Sequence, residues 1–129
     1  MRIVRLYSGD DGESHFEDLG IALESGPSLA FPVTTLDFRQ APVEHEPDWH
    51  NASNRQFVIT LSGALEVEIG DGSRRQLRPG DVLLAEDLTG HGHVSRTIAA
   101  PRRSVVIPIT EDTNLVSLLN QIRANSTPG

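Results

Sequence analysis

The chain has 129 residues, a formal net charge of −7, eleven basic residues that are all arginine, and no cysteine. This composition excludes a disulfide framework, a thiolate nucleophile and a zinc finger, and its acidic balance argues against nucleic acid, since phosphate binding needs a basic face. No stretch approaches the roughly 18 apolar residues of a membrane span, and Met1–Tyr7 is too short and polar for a signal peptide, so a cytoplasmic chain forming one domain over residues 1–129 is expected.

Residues 2–7 alternate around Ile3, Val4 and Leu6 and predict a first strand. Ser8–Ser14 is an acidic, turn-rich loop, with His15 expected as an exposed loop histidine just past it. A second short strand is expected over 18–24, a loop between Pro27 and Pro32, and a further strand over 33–39. Residues 41–51 hold Pro42 and Pro47 and cannot be a central strand or an ordinary helix. A loop carrying Trp49, His45 and His50 suits the mouth of a pocket, and Trp49 suits a plug at one end of the core as well.

Between Arg55 and Gly72, two runs rich in β-branched residues meet at Ser62-Gly63, and the second ends at Gly70-Asp71-Gly72. Glycine where the chain must bend predicts antiparallel strands with turns at both places. Ser73–Arg78 reads as a polar edge strand with its arginines on a solvated face. Pro79-Gly80-Asp81 is a turn, Val82–Ala85 a buried strand, and Glu86–Gly90 a loop. His91–Ile98 and Arg103–Ile109 are expected as two more strands, separated at Pro101. From Asp112 or Thr113, the residues Leu115, Leu118, Leu119 and Ile122 recur at helical spacing, predicting one short amphipathic helix over about 112–124.

Seven or more short strands with closely spaced turns predict an all-β sandwich or barrel. Within that pattern, residues 44–95 resemble the two motifs of the cupin superfamily. The first, G-x5-H-x-H-x3-E-x6-G, falls on Glu44, His50, Ala52, Gln56 and Gly63; the second, G-x5-P-x-G-x2-H-x3-N, falls on Gly80, Glu86, Leu88, His91 and Ser95. The resemblance implies a double-stranded β-helix, or jelly-roll, barrel of the RmlC-like kind, with the short C-terminal helix added. It also implies a homodimer and a small polar metabolite as partner. In metal-binding members, both histidines and the glutamate of the first motif join the histidine of the second around one ion. Here Ala52 offers no donor and Gln56 is a neutral amide, so the motif is degenerate.

Strand alternation offers a replacement set. If extended, His91, His93 and Ser95 share a face, and Gln56, Val58 and Thr60 share theirs. His50, His91 and His93 would then converge on one divalent ion (iron, nickel, zinc or manganese), with Glu86 or Asp87 as a carboxylate ligand or as acid or base. A bulge at Gly92 is the alternative, and it would instead send His91 and His93 to opposite faces. Without metal, His50, Gln56, Val58, Thr60, His91 and His93 line a binding cavity, with proton transfer open to His91 or His93. Two functions follow from the resemblance: a small-molecule-binding cupin with a degenerate site, or a metal-dependent cupin enzyme of oxygenase or isomerase type.

Overall fold

Valine, isoleucine and leucine alternating between glycine and proline turns make strands, because branched side chains pack well on a pleated surface. A computed structural model of the chain describes residues 2–20, 30, 33–41, 48–109 and 120. Among these residues the elements are β1 (Arg2–Ser8), β2 (Ser14–Gly20), β3 (Asp37–Gln40), β4 (Gln56–Glu68), β5 (Arg74–Leu77), β6 (Val82–Glu86) and β7 (Val94–Pro108). They form one sheet in the order β2-β1-β6-β4-β7-β3, with β5 paired to β4. The helix expected over about 112–124 and motif residue Glu44 fall outside the described residues, Asn120 apart. No helix among the described residues is long and apolar enough to cross a membrane.

The sheet is apolar on both faces around β6, every residue of which is buried. Val82 and Leu84 pack with Ile3, Leu19 and Phe57 on one side. Leu83 and Ala85 pack with Val4, Leu6, Leu65, Val67 and Leu77 on the other. Burial on both faces is why this strand reads as an unbroken apolar run rather than an alternating one. It pairs in parallel with β1, from Ile3↔Val82 to Tyr7↔Glu86, and antiparallel with β4, from Gln56↔Ala85 to Ile59↔Val82.

Two turns stand where the glycines predict them. Ile69 N donates to Ser73 O at 3.0 Å around Gly72, and Asp81 N donates to Arg78 O at 2.9 Å around Gly80. The break expected at Ser62-Gly63 is not a turn. Strand β4 runs through it and stays paired to β7 from Gln56↔Pro108 to Glu68↔Val94, with register shifts between Thr60 and Leu65. Gly63, at φ 70°, sits in this bulge. A side chain there would meet the carbonyl oxygen of Ala99, and the neighbouring Ser62 Oγ donates to Pro101 O at 2.9 Å. The strand therefore bends against its neighbour instead of reversing. For the same reason the two strands expected either side of Pro101 are one, β7, held along its length by β4. Strand β2 starts at Ser14, so His15 lies in a strand rather than a loop, and β3 is confined to Asp37–Gln40.

One ion pair clasps strands far apart in the sheet. Arg75 of β5 makes a two-pronged bond to Asp18 of β2, Nε–Oδ1 and Nη2–Oδ2 both 2.9 Å, with its guanidinium 4.8 Å over the Phe16 ring. The hydrogen bonds from Arg75 hold the Asp18 carboxyl below its ordinary range, against a smaller opposing effect of burial.

Candidate functional site

Extended segments alternate their side chains, so the inward residues of neighbouring strands meet in rows. One row crosses Leu83, Val58 and Val106, partners in register on β6, β4 and β7. Gln56 and Ala85 form the next row. These residues floor a cavity of about 510 Å³. Arg39 of β3 and Arg102 and Ser104 of β7 stand on one part of its wall; His50, Asn51, Ser53 and His93 stand on another.

His50 and His93 are brought together by an isolated antiparallel bridge. His50 N donates to His93 O at 2.9 Å and His93 N to His50 O at 2.8 Å. Residues paired this way carry their side chains on the same face, and the two rings lie 4.5 Å apart between centroids. The bridge depends on Gly92, whose φ is +83° and whose missing side chain leaves room for the His50 carbonyl oxygen.

Asp87, immediately after β6, is fully buried and acts as the hub of the site. Its Oδ2 accepts from His93 Nδ1 at 2.6 Å and from Ser14 Oγ at 2.8 Å, while Ala52 N donates to its Oδ1 at 3.3 Å and to its backbone oxygen at 3.2 Å. A carboxylate only accepts, so the proton on His93 sits on Nδ1. His50 Nδ1 is 3.0 Å from the backbone oxygen of Asp48, which likewise only accepts. Each ring is thus held in one tautomer by its Nδ1 bond, and Nε2 is the ring nitrogen that these bonds leave unprotonated.

The residues expected at the site divide. His50, Gln56, Val58 and His93 line the cavity, and Asp87 reaches it through His93. Thr60 is buried opposite Ser104 in the ladder but does not reach the cavity wall. Glu86 turns away, as strand parity requires of a residue next to Ala85. It is buried, accepts from Arg5 Nε at 2.5 Å and has Arg55 Nε 3.4 Å from its other oxygen. His91 also lies elsewhere: its Nδ1 is 3.0 Å from Glu13 Oε2, and its ring stacks 4.2 Å from Trp49. The positive φ of Gly92 breaks the alternation that would have put His91 and His93 on one face. Trp49 is accordingly partner to a surface histidine rather than a plug of the core.

A resident metal does not fit this donor set. Ala52 and Gln56 replace two of the expected ligands, His91 is turned away, and among the described residues no three His, Asp or Glu side chains converge. Arg39, Arg102 and Ser104 of the wall, and Ser14 bonded to Asp87 behind it, were not among the residues expected at the site. For Arg39 the signal was inverted, since the adjacent Phe38 is 76% exposed and the charged neighbour faces the cavity.

The model of the family described as Cupin domain matches residues 37–107, more than half of the chain and a span that contains the whole described cavity wall. A search of curated proteins finds no match.

Proposed function

The chain belongs to the cupin domain family, and from that premise we propose that it is a small-molecule-binding cupin whose jelly-roll barrel holds a small polar metabolite between His50, Gln56 and His93. The observation that carries the reading is the pair of imidazoles with Nδ1 already committed, to Asp48 O and to Asp87 Oδ2, lining one cavity of about 510 Å³. Cavities of this size suit small organic ligands, with an apolar wall and a few fixed polar groups setting orientation. Val58, Leu83 and Val106 supply that apolar wall here. Fixing each ring in advance lowers the ordering cost of binding.

Differential scanning fluorimetry against a metabolite library tests the proposal, because a ligand of the folded state raises the melting temperature by mass action. At least one small polar compound should raise it in the wild type and fail to do so in His93→Gln. A library that shifts neither protein, or both equally, removes the site.

A second reading has its own support in the bond between Asp87 and His93. A buried carboxylate holding Nδ1–H is an arrangement that presents Nε2 for proton transfer to a bound ligand. Turnover of the ligand, followed by NMR and abolished in His93→Gln, would make the chain an enzyme; an unchanged ligand would leave it a binder.

Self-association through β3 belongs to the same proposal. It ends the sheet order, and Phe38 on it is 76% exposed with Leu36 beside it at 51%. Light scattering at micromolar concentration should give twice the 14.1 kDa chain mass, and a monomer there ends that part of the reading.

A further inference from the structure

The cavity wall differs in charge from the protein around it. The chain carries 18 acidic residues against 11 basic ones, yet among the described residues no aspartate or glutamate lines this cavity, whereas Arg39, Arg102, His50 and His93 do. Among the described residues two carboxylates stand near the wall: Asp87, fully buried behind His93 and already accepting three hydrogen bonds from donors around it, and Asp37, paired with Arg39 at the exposed edge. A concave, partly apolar site lined by one sign of charge focuses that potential on its occupant.

The two arginines are placed by the sheet. Arg39 lies opposite Ser104 in the β3–β7 ladder, and Ala41 N donates to Arg102 O at 3.0 Å, so residues 39, 102 and 104 belong to one patch of two neighbouring strands. Arg102 Nε donates to Thr97 Oγ1 at 2.8 Å, which orients its guanidinium plane. Arg39 is joined to Asp37 at 3.2 Å by an exposed pair that a competing anion can exchange at little cost. Guanidinium groups favour the planar, two-pronged acceptor that a carboxylate provides. The imidazoles make a different demand. With Nδ1 protonated on both rings, a neutral ring offers Nε2 as an acceptor, which a hydroxyl satisfies.

Resting on the binding function above, we infer that the ligand is a small hydroxycarboxylate. Its carboxylate is taken by Arg39 and Arg102, its hydroxyl donates to Nε2 of His93 or His50, and its carbon body lies on Val58, Leu83 and Val106. Phosphate esters are a poorer match, since no helix N-terminus or glycine-rich loop contributes backbone donors to the described wall.

Isothermal titration calorimetry of the full chain tests this with matched probes. A set of short-chain hydroxycarboxylates is titrated beside the plain carboxylates of the same length, the corresponding hydroxy-amides, neutral polyols and inorganic phosphate. The hydroxycarboxylates should bind best, weaken as salt is raised, and lose at least tenfold in affinity in Arg39→Gln and in Arg102→Gln, with both variants melting cooperatively. Hydroxy-amides or polyols binding as tightly as the acids would overturn the anion assignment while leaving the binding function standing. Plain carboxylates or phosphate binding as tightly would overturn the hydroxyl assignment. No binding by any charged or neutral probe would overturn the inference, and with the fluorimetry negative as well it would take the binding function with it.

Discussion

Nδ1 of His93 lies 2.6 Å from Oδ2 of Asp87, and both side chains are all but closed to solvent, at 6% and 0% exposed. This bond joins the residue that follows β6 to the residue that precedes β7, and it sets which nitrogen of His93 carries the proton. Burial makes it consequential, because a donor deprived of its acceptor there has no water to turn to.

Removing the hub should therefore cost more than reshaping it. Asp87→Ala leaves Ser14 Oγ–H and His93 Nδ1–H short of an acceptor and opens a void, and should lose about 2–4 kcal/mol of stability. Asp87→Asn keeps the shape and one acceptor and should lose about half as much, while weakening ligand binding through a reoriented His93. Urea denaturation of both variants checks this; an alanine variant within about 0.5 kcal/mol of wild type would show the hub to be dispensable.

Gly92 and Gly72 make a controlled pair. Their φ angles are nearly equal, +83° and +86°, but a side chain at 92 meets the His50 carbonyl oxygen whereas nothing lies within 4 Å at 72. Gly72→Ala should cost only the conformational strain, about 1 kcal/mol. Gly92→Ala should cost about 2–4 kcal/mol and separate the two histidines, since strain and displaced backbone add. Equal losses in urea would mean that the bridge tolerates a side chain.

His91 and His93 are two residues apart and should behave oppositely. His93→Ala should abolish ligand-induced stabilisation. His91→Ala removes a ring stacked on Trp49 and bonded to Glu13, both exposed, and should leave ligand affinity within about twofold and stability within about 1 kcal/mol. Titration of any ligand found by fluorimetry separates them, and loss of binding in His91→Ala would restore it to the site.

Acid should loosen the clasp between β2 and β5. The Arg75 guanidinium holds the Asp18 carboxyl below its ordinary value of 3.8, and the same bonds raise Arg75. The folded state therefore releases the Asp18 proton more readily than the unfolded chain. The pair's stabilisation is full above about pH 4 and fades as pH falls through the lowered folded value. Asp18 is 56% exposed in its side chain, so solvent screening limits the effect to about 0.5 kcal/mol. Urea midpoints near pH 6 and near pH 3 should show a larger loss in the wild type than in Asp18→Asn. Parallel curves for the two proteins would show the clasp to be neutral.

Local order was legible where side-chain alternation alone sets direction. The buried run Val82–Ala85, the turns at Gly72 and Gly80, the inward parity of Gln56 and Val58, and the all-β class all follow from residues a few positions apart. Glycine with a positive φ is where that reading stops, because a turn and a bulge make the same demand on the residue itself. At Gly63 the difference was made by β7 lying alongside, whose carbonyl oxygens at Ala99 and Pro101 crowd the glycine while the ladder continues past it. At Gly92 it was made by the His50 backbone, which draws His93 into the cavity and leaves His91 to Glu13 and Trp49. Composition and spacing determined that strands form and which residue types could serve a site. Which imidazoles meet, and which arginines stand with them, was decided by contacts between segments distant along the chain, and nothing in the local sequence encodes those distances.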